Sequence, residues 1–576
     1  MRISRLRASA FALAGFFGSL LFVPAAAGAS GGDSTDGIPH LRRHGTATQL
    51  VVDDKPFLIL GGELLNSSAS DLAYMNPVWE RLAAQNLNTV LAGISWELIE
   101  PEEGRFDFRL LDGLVGDARA HRLHLGLLWF ASWKNGMSSY APVWVKRDSH
   151  RFSRVRLRDG TEPEVLSPLC LATAEADARA FGRLMKHLRE FDSHDHTVLL
   201  VQVENEVGLF GDSRDRSPAA DAAFAGPVPK EWFQYLATHS AELVPELRTR
   251  WEAAGARVTG TWADVFGPGA ATDEIFMAWH YARYVDRVAA AGAAEYPVPF
   301  YANAALDVPN AKPGEYASGG PLAHVLNVWQ AAAPHLALVA PDIYGSDFEE
   351  RCRQFSRSGN PLFIPETNLG AESARNLFLA IGAYNAIGFS PFAIDTHYPP
   401  SFSVPEADRS ALGSSYGVLR QIAPLVLEHQ GQGEMTGFVL DREHPSLVAT
   451  LGGVVVEISL DEIFGHRAEQ GAGMIMAVGP DEFFGIGSGF RVIFRSSARG
   501  AGRLGIGAID EGVFRDGLWI PGRRLNGDED DQGRAWRFAS WAHQVEHGSV
   551  SPWAIQIEHC TIYHDEGLPD AVPGRP

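Results

Sequence analysis

Three cysteines in 576 residues, Cys170, Cys352 and Cys560, are too few and too odd in number for a disulfide framework. No Cys/His spacing matches a metal site, and neither a metal nor a cofactor is expected. Cationic residues are also short, 49 Lys and Arg against 70 Asp and Glu, for a net charge of −21 with no basic block. That balance argues against nucleic acid or an anionic membrane surface as partner. Beyond the N-terminus no apolar run is long enough to cross a bilayer. Nothing in the sequence speaks to oligomeric state.

What is present begins with an address. Arg2, Arg5 and Arg7 precede an apolar stretch from Ala8 to Val23, and Ala27-Gly28-Ala29 follows. This pattern predicts a secretory signal peptide over residues 1–29, with an A-x-A-type cleavage site and export to the periplasm or the exterior. The apolar stretch falls short of the ~20 residues a membrane anchor needs, so no membrane association is expected after cleavage. Residues 30–37 are small and polar, a flexible leader. The roughly 545 residues that remain exceed one compact core, so two or more domains are expected.

From Phe57 onward, short apolar runs alternate with helical patterns, which is how β/α units read. Eight candidate strands span Phe57–Glu63, Asn88–Trp96, His124–Trp133, Thr197–Glu206, Val298–Ala304, Leu336–Tyr344, Pro361–Glu366 and Gly388–Asp395. Each ends in polar or aromatic residues. The expected fold class is α/β, a (β/α)8 TIM barrel over residues 38–425 followed by a β-rich, sandwich-like domain over 426–576. The barrel carries an insertion at about 209–297, too long for a normal connection, with an inserted strand at Arg257–Phe266 and a helix at Asp273–Ala291. After Pro424 short β-rich runs alternate with Gly- and Asp-rich turns and no helical period. The acidic run Asp528–Asp531 lacks spaced calcium ligands and reads as a solvated turn.

One stretch concentrates the chemistry. Thr197-Val-Leu-Leu-Val-Gln-Val-Glu-Asn-Glu-Val-Gly208 is a doubly buried parallel strand that ends in two carboxylates flanking an amide. In a barrel that end is the rim where sites are built. Pro361-Leu-Phe-Ile-Pro-Glu-Thr-Asn368 repeats the pattern and delivers Glu366, 160 residues from Glu206. Two carboxylates across one barrel mouth suit glycosidic bond cleavage, which in the retaining mode needs an acid and a nucleophile ~5–5.5 Å apart. Glu63 ends the first strand and is either a sugar-hydroxyl acceptor or a structural residue. Glu204 falls on the side of Glu206 by strand alternation, to bind a hydroxyl or cation or to form a structural ion pair. Trp96, Trp129 and Trp133 sit at strand ends, where indole faces stack on sugars, although at least one of them belongs to the core. Tyr344 ends the sixth strand and is placed to hydrogen-bond Glu366.

Val201-Gln-Val-Glu-Asn-Glu-Val-Gly208, with Trp96, Glu100-Pro101, Gly104 and Phe106-Asp-Phe108, resembles the corresponding stretches of glycoside hydrolase family 35 β-galactosidases, over roughly residues 40 to 425. Departures at Glu97, Ile99, Val207 and Leu128–Gly136 resemble a bacterial subgroup leaning towards family 42 and acting in polysaccharide breakdown. The resemblance implies that Glu206 is the acid/base, Glu366 the nucleophile and Asn205 the residue that holds the sugar 2-hydroxyl. It implies an exported retaining exo-β-galactosidase whose partner is a β-galactoside oligosaccharide or polysaccharide. Another β-glycosidase of the same clan, or a glycan-binding protein on a degenerate barrel, stands as the alternative. The latter should have lost one glutamate, and both are present.

Overall fold

A computed structural model describes residues 37–395, 406–463, 465–497, 502–539 and 555–569. The proposed signal peptide and all but the last residue of the leader lie outside them. Eight parallel strands form the barrel: β1 (Ile59–Glu63), β2 (Thr89–Ser95), β3 (His124–Phe130), β4 (Val198–Val203), β5 (Phe300–Ala305), β6 (Leu338–Ile343), β7 (Glu366–Thr367) and β8 (Gly388–Phe389). They neighbour one another in sequence order, and β8 returns to β1. The seam between β7 and β8 is joined by the Ile364–Phe389 bridge and by Ser390 N–H donating to the Ile364 carbonyl at 2.9 Å.

Every residue of β4 is buried, as is nearly every residue of its neighbours, which explains why these strands read as unbroken apolar runs. The outer helices follow the apolar periodicity. Leu72–Ala84, Arg109–Ala120 and Leu171–Asp192 each bury one stripe against the sheet.

Two departures from the sequence reading concern the barrel. A three-stranded antiparallel unit, His40–His44, Ala47–Val52 and Lys55–Phe57, precedes β1. Its Leu50 and Val52 join Ile59, Leu199, Leu338, Phe363 and Ile387 in one cluster, so it plugs the barrel floor. The second departure is the expected strand at Arg257–Phe266, which is not a strand. Thr261 and Asp264 form a capping box that starts a short helix, Trp262–Phe266, whose Trp262, Val265 and Phe266 fall at helical spacing and are buried. The segment after β4 is helical among its regular elements, ending in the long helix Ala270–Ala293 that packs on Leu171–Asp192.

A further helix, Glu406–His429, runs across the point where the texture of the sequence changes. Beyond it lie a six-stranded and a four-stranded antiparallel sheet. Phe438, Ile475 and Phe483 of the first share a core with Val456, Val492, Trp536 and Phe538 of the second, as in a sandwich.

Candidate active site

The polypeptide leaves β4 in a strained turn. Glu204 and Glu206 both have positive φ, 64° and 44°, in a region that side chains other than Gly avoid. The surroundings enforce it. Gln202 Nε2 donates to the Glu204 carbonyl at 2.9 Å, Asn205 N–H to the Trp133 carbonyl at 3.2 Å and Glu206 N–H to Asn303 Oδ1 at 2.9 Å. Strand alternation therefore stops at Val203, and Glu204 does not share a site with Glu206. Its Oε2 accepts the Trp133 N–H at 2.8 Å, and burial followed by the charge of Asp177 raises its pKa well above the usual carboxylate value. It is a structural carboxyl, without an ion pair among the described residues.

Glu206 instead meets residues from three other strands. Carboxyl oxygens of Glu206, Asp342 and Glu366 lie within 4.8 Å of one another, all three groups buried. Asn303 on β5 ties the arrangement together, since its Nδ2 donates to Asp342 Oδ2 at 2.7 Å while its Oδ1 holds the backbone of Glu206. Glu63, at the end of β1, completes the ring of carboxyls. Tyr344 follows β6, stands 43% exposed, and donates its hydroxyl to Glu366 Oε1.

Four carboxyls in so small a buried volume cannot all be charged. Burial, and then the charge of Glu366, drives Glu63 and Asp342 well above the usual carboxylate range. Glu206 is raised for the same two reasons, opposed by Lys134 and by its hydrogen bond with Asp342. The Tyr344 phenol is pushed up by burial and then by Glu366, so it remains a donor. One buried oxygen each of Glu63, Asp342 and Glu366 has no hydrogen-bond donor among the described residues. Among the described residues, Glu206, Asp342 and Glu366 are the group whose donor atoms approach metal spacing. Asn205 also stands out: both of its buried amide atoms lack a partner among the described residues.

The three tryptophans are not sugar platforms. Trp96, Trp129 and Trp133 are wholly buried, and their indole N–H groups donate to Glu100, Asp177 and the Leu166 carbonyl at 2.8, 2.9 and 3.1 Å. Their rings pack on Trp144, Phe181 and Tyr284. An indole needs an open face to stack on a pyranose, and these have none. Glu100 is structural as well, accepting from Trp96 and from Gly104 N–H at 2.7 Å.

Asp342, Asn303 and Lys134 are the site residues that the sequence reading missed. Asp342 lay inside the recognised run Pro341-Asp-Ile-Tyr344, and its signal was a charge in an otherwise apolar strand.

A parallel eight-stranded barrel with paired carboxyls at its C-terminal rim defines the glycosidase type of TIM barrel. Consistent with it, residues 74–286 match a glycoside hydrolase family 42 model described as β-galactosidase, and residues 412–537 a domain of unknown function, DUF5597. A β-galactosidase of Xanthomonas manihotis is 31% identical over 172 residues, which are 29% of this chain and 26% of that protein. The chain thus matches about a quarter of that relative's length. A catalytic domain of β-amylase from Paenibacillus polymyxa has 11% identity and a TM-score of 0.45, covering 62% of this chain and 96% of that one. A β-galactosidase from Bacillus circulans sp. alkalophilus has 14% identity and a TM-score of 0.43, covering 64% and 57%. These two likenesses are too loose to add to the barrel's own strand order. The family match and the Xanthomonas relative support a glycoside hydrolase of β-galactosidase type, without confirming family 35.

Proposed function

We propose that this chain is an exported, retaining exo-β-galactosidase of the family 35 kind. It removes terminal β-galactosyl residues from oligosaccharides or plant polysaccharide side chains. The observation that carries the reading is the approach of the Glu206 and Glu366 carboxyl oxygens to within 4.8 Å of each other in one buried mouth. Inverting enzymes hold their carboxyls ~6.5–9.5 Å apart to seat a water, whereas a nucleophile must reach the anomeric carbon directly.

Glu206, its proton held by burial, protonates the leaving oxygen. Glu366 attacks, and Tyr344 donates to it so that the attacking carboxylate stays oriented. Asn205 offers its unpaired amide to the sugar 2-hydroxyl. After the aglycone departs, Glu206 draws a proton from water, which releases the sugar with its configuration kept.

A panel of aryl β-glycosides tests the sugar preference, with the galactoside expected to be turned over fastest. Proton NMR should show the β-anomer of galactose released first, and the α-anomer first would overturn the mechanism. Galacto-oligosaccharides should yield free galactose, whereas internal fragments alone would argue for an endo-acting cleft. Export is checked by mass spectrometry of the secreted enzyme, whose mature chain should begin at Ser30.

A further inference from the structure

Lys134 stands where a lysine ought not to be idle. It is 7% exposed, and among the described residues no carboxylate oxygen lies within 4.0 Å of its Nζ and no group accepts a hydrogen bond from it. A buried ammonium without ion pair or acceptor is costly unless something else completes it. The backbone holds it there firmly. Asn135 and Gly136 both have positive φ, 53° and 69°, and form a two-residue turn in which Lys134 N–H donates to the Met137 carbonyl at 2.8 Å and Met137 N–H returns the bond at 3.0 Å.

This turn is pinned to the loop after Glu206. A Cβ on Gly136 would lie 2.9 Å from both the Gly208 carbonyl oxygen and the Phe210 ring. The Lys134 Nζ lies over the Phe130 ring, 5.2 Å from its centroid. Its charge acts on Glu63 and Glu206, the two carboxyls that bracket the mouth. The ammonium, buried and without an acceptor among the described residues, has its donors free for a hydroxyl that accepts from it and pairs with a neighbouring carboxyl.

We propose that Lys134 is a substrate-binding residue that recognises a hydroxyl of the terminal sugar other than the 2-hydroxyl, with that hydroxyl bridging the ammonium to Glu63. This rests on the glycosidase reading of the site. Asn205, whose amide atoms are buried without a partner among the described residues, supplies the separate contact. The ammonium donates only, so the hydroxyl oxygen must accept, and its proton turns to the Glu63 carboxyl.

The test compares an aryl β-galactoside with its 3-, 4- and 6-deoxy analogues, in wild-type enzyme and in Lys134→Met. Wild type should discriminate against one analogue by about 10²–10³-fold in kcat/KM, because the missing hydroxyl leaves buried polar groups unpaired. Lys134→Met should lose a similar factor on the parent substrate and discriminate against that same analogue less than about threefold. Equal discrimination in both proteins would overturn the proposal. So would a wild-type enzyme indifferent to all three deletions, a result that needs no variant to fold. Lys134→Arg, which keeps the charge on a longer stem, should retain discrimination with raised KM. Turnover of a different β-glycoside by the wild type would overturn the galactoside reading alone, and the deoxy series of that sugar then decides on Lys134.

Discussion

Glu206 and Glu366 are alike in chemistry and are separated by their surroundings. Glu206 is raised by burial and then by the charge of Glu366, the direction that favours the proposed acid role. Truncation should tell them apart. In Glu206→Ala, an activated aryl galactoside whose phenolate leaves unaided should still glycosylate the enzyme, and azide should rescue turnover as the β-galactosyl azide. In Glu366→Ala, activity should fall by about 10³–10⁵ on every substrate, with azide giving the α-product. Near-normal activity of Glu366→Ala on the activated substrate would exchange the assignments.

The same electrostatics predicts a pH effect. Lys134 stabilises the ionised form of Glu206, so its removal raises the acid's pKa further. The basic limb of kcat/KM for an unactivated galactoside should therefore move to higher pH in Lys134→Met, whatever the loss in height. A limb that moves to lower pH would mean that another group controls it.

At the scale of elements, two helices pack on each other beside the strand that ends before Glu206. Ala270–Ala293 and Leu171–Asp192 meet so closely that a Cβ at Gly292 would lie 2.3 Å from the Phe181 ring. Phe181 packs on Trp129 of β3 and Phe300 of β5, so it has little room to yield. Gly292→Ala should destabilise the protein by about 1–3 kcal/mol, read as a lower denaturation midpoint in urea, and an unchanged midpoint would show that the interface can relax. Below the rim the same helices frame a second acidic pair. Asp177 accepts from Trp129, Ser132 and Tyr284 at 2.9, 2.7 and 3.1 Å and neighbours the raised carboxyl of Glu204. Glu204 and the three tryptophans thus belong to the support of the site rather than to its mouth.

For the molecule as a whole, acid titration of the β-rich region matters as much as that of the mouth. Glu558 is fully buried, its Oε2 accepts Trp536 Nε1 at 2.6 Å, and burial above all pushes its pKa up to about 8. A carboxyl whose folded pKa is raised contributes nothing unfavourable below its unfolded value. As pH rises from there towards the folded pKa, the unfolded chain ionises first and stability falls. Glu558→Gln should match wild type near pH 5 and exceed its unfolding free energy by about 2–4 kcal/mol at pH 8, by urea denaturation at each pH. A constant difference across that range would show that burial does not raise the Glu558 pKa above its unfolded value.

How much of this was legible beforehand depends on whether the signal was local. The barrel strands were, because a strand buried on both faces is a contiguous apolar run, as in Val198–Val203. Glu206 and Glu366 were too, each being a charge that ends such a run, and a barrel gathers strand ends at one rim. The hairpin that plugs the floor was not legible, since Ala47–Val52 gains its meaning from residues more than 300 positions later in the chain, such as Phe363 and Ile387. Nor was the direction of Glu204, which depends on positive φ values imposed by Gln202, Trp133 and Asn303. Asp342 and Lys134 became part of the site only when β6 and the turn after β3 closed around the same mouth. Sequence determined which side chains carry charge and where strands end; the closed barrel alone decided which charges are buried together, because proximity between distant residues is a property of the packed chain.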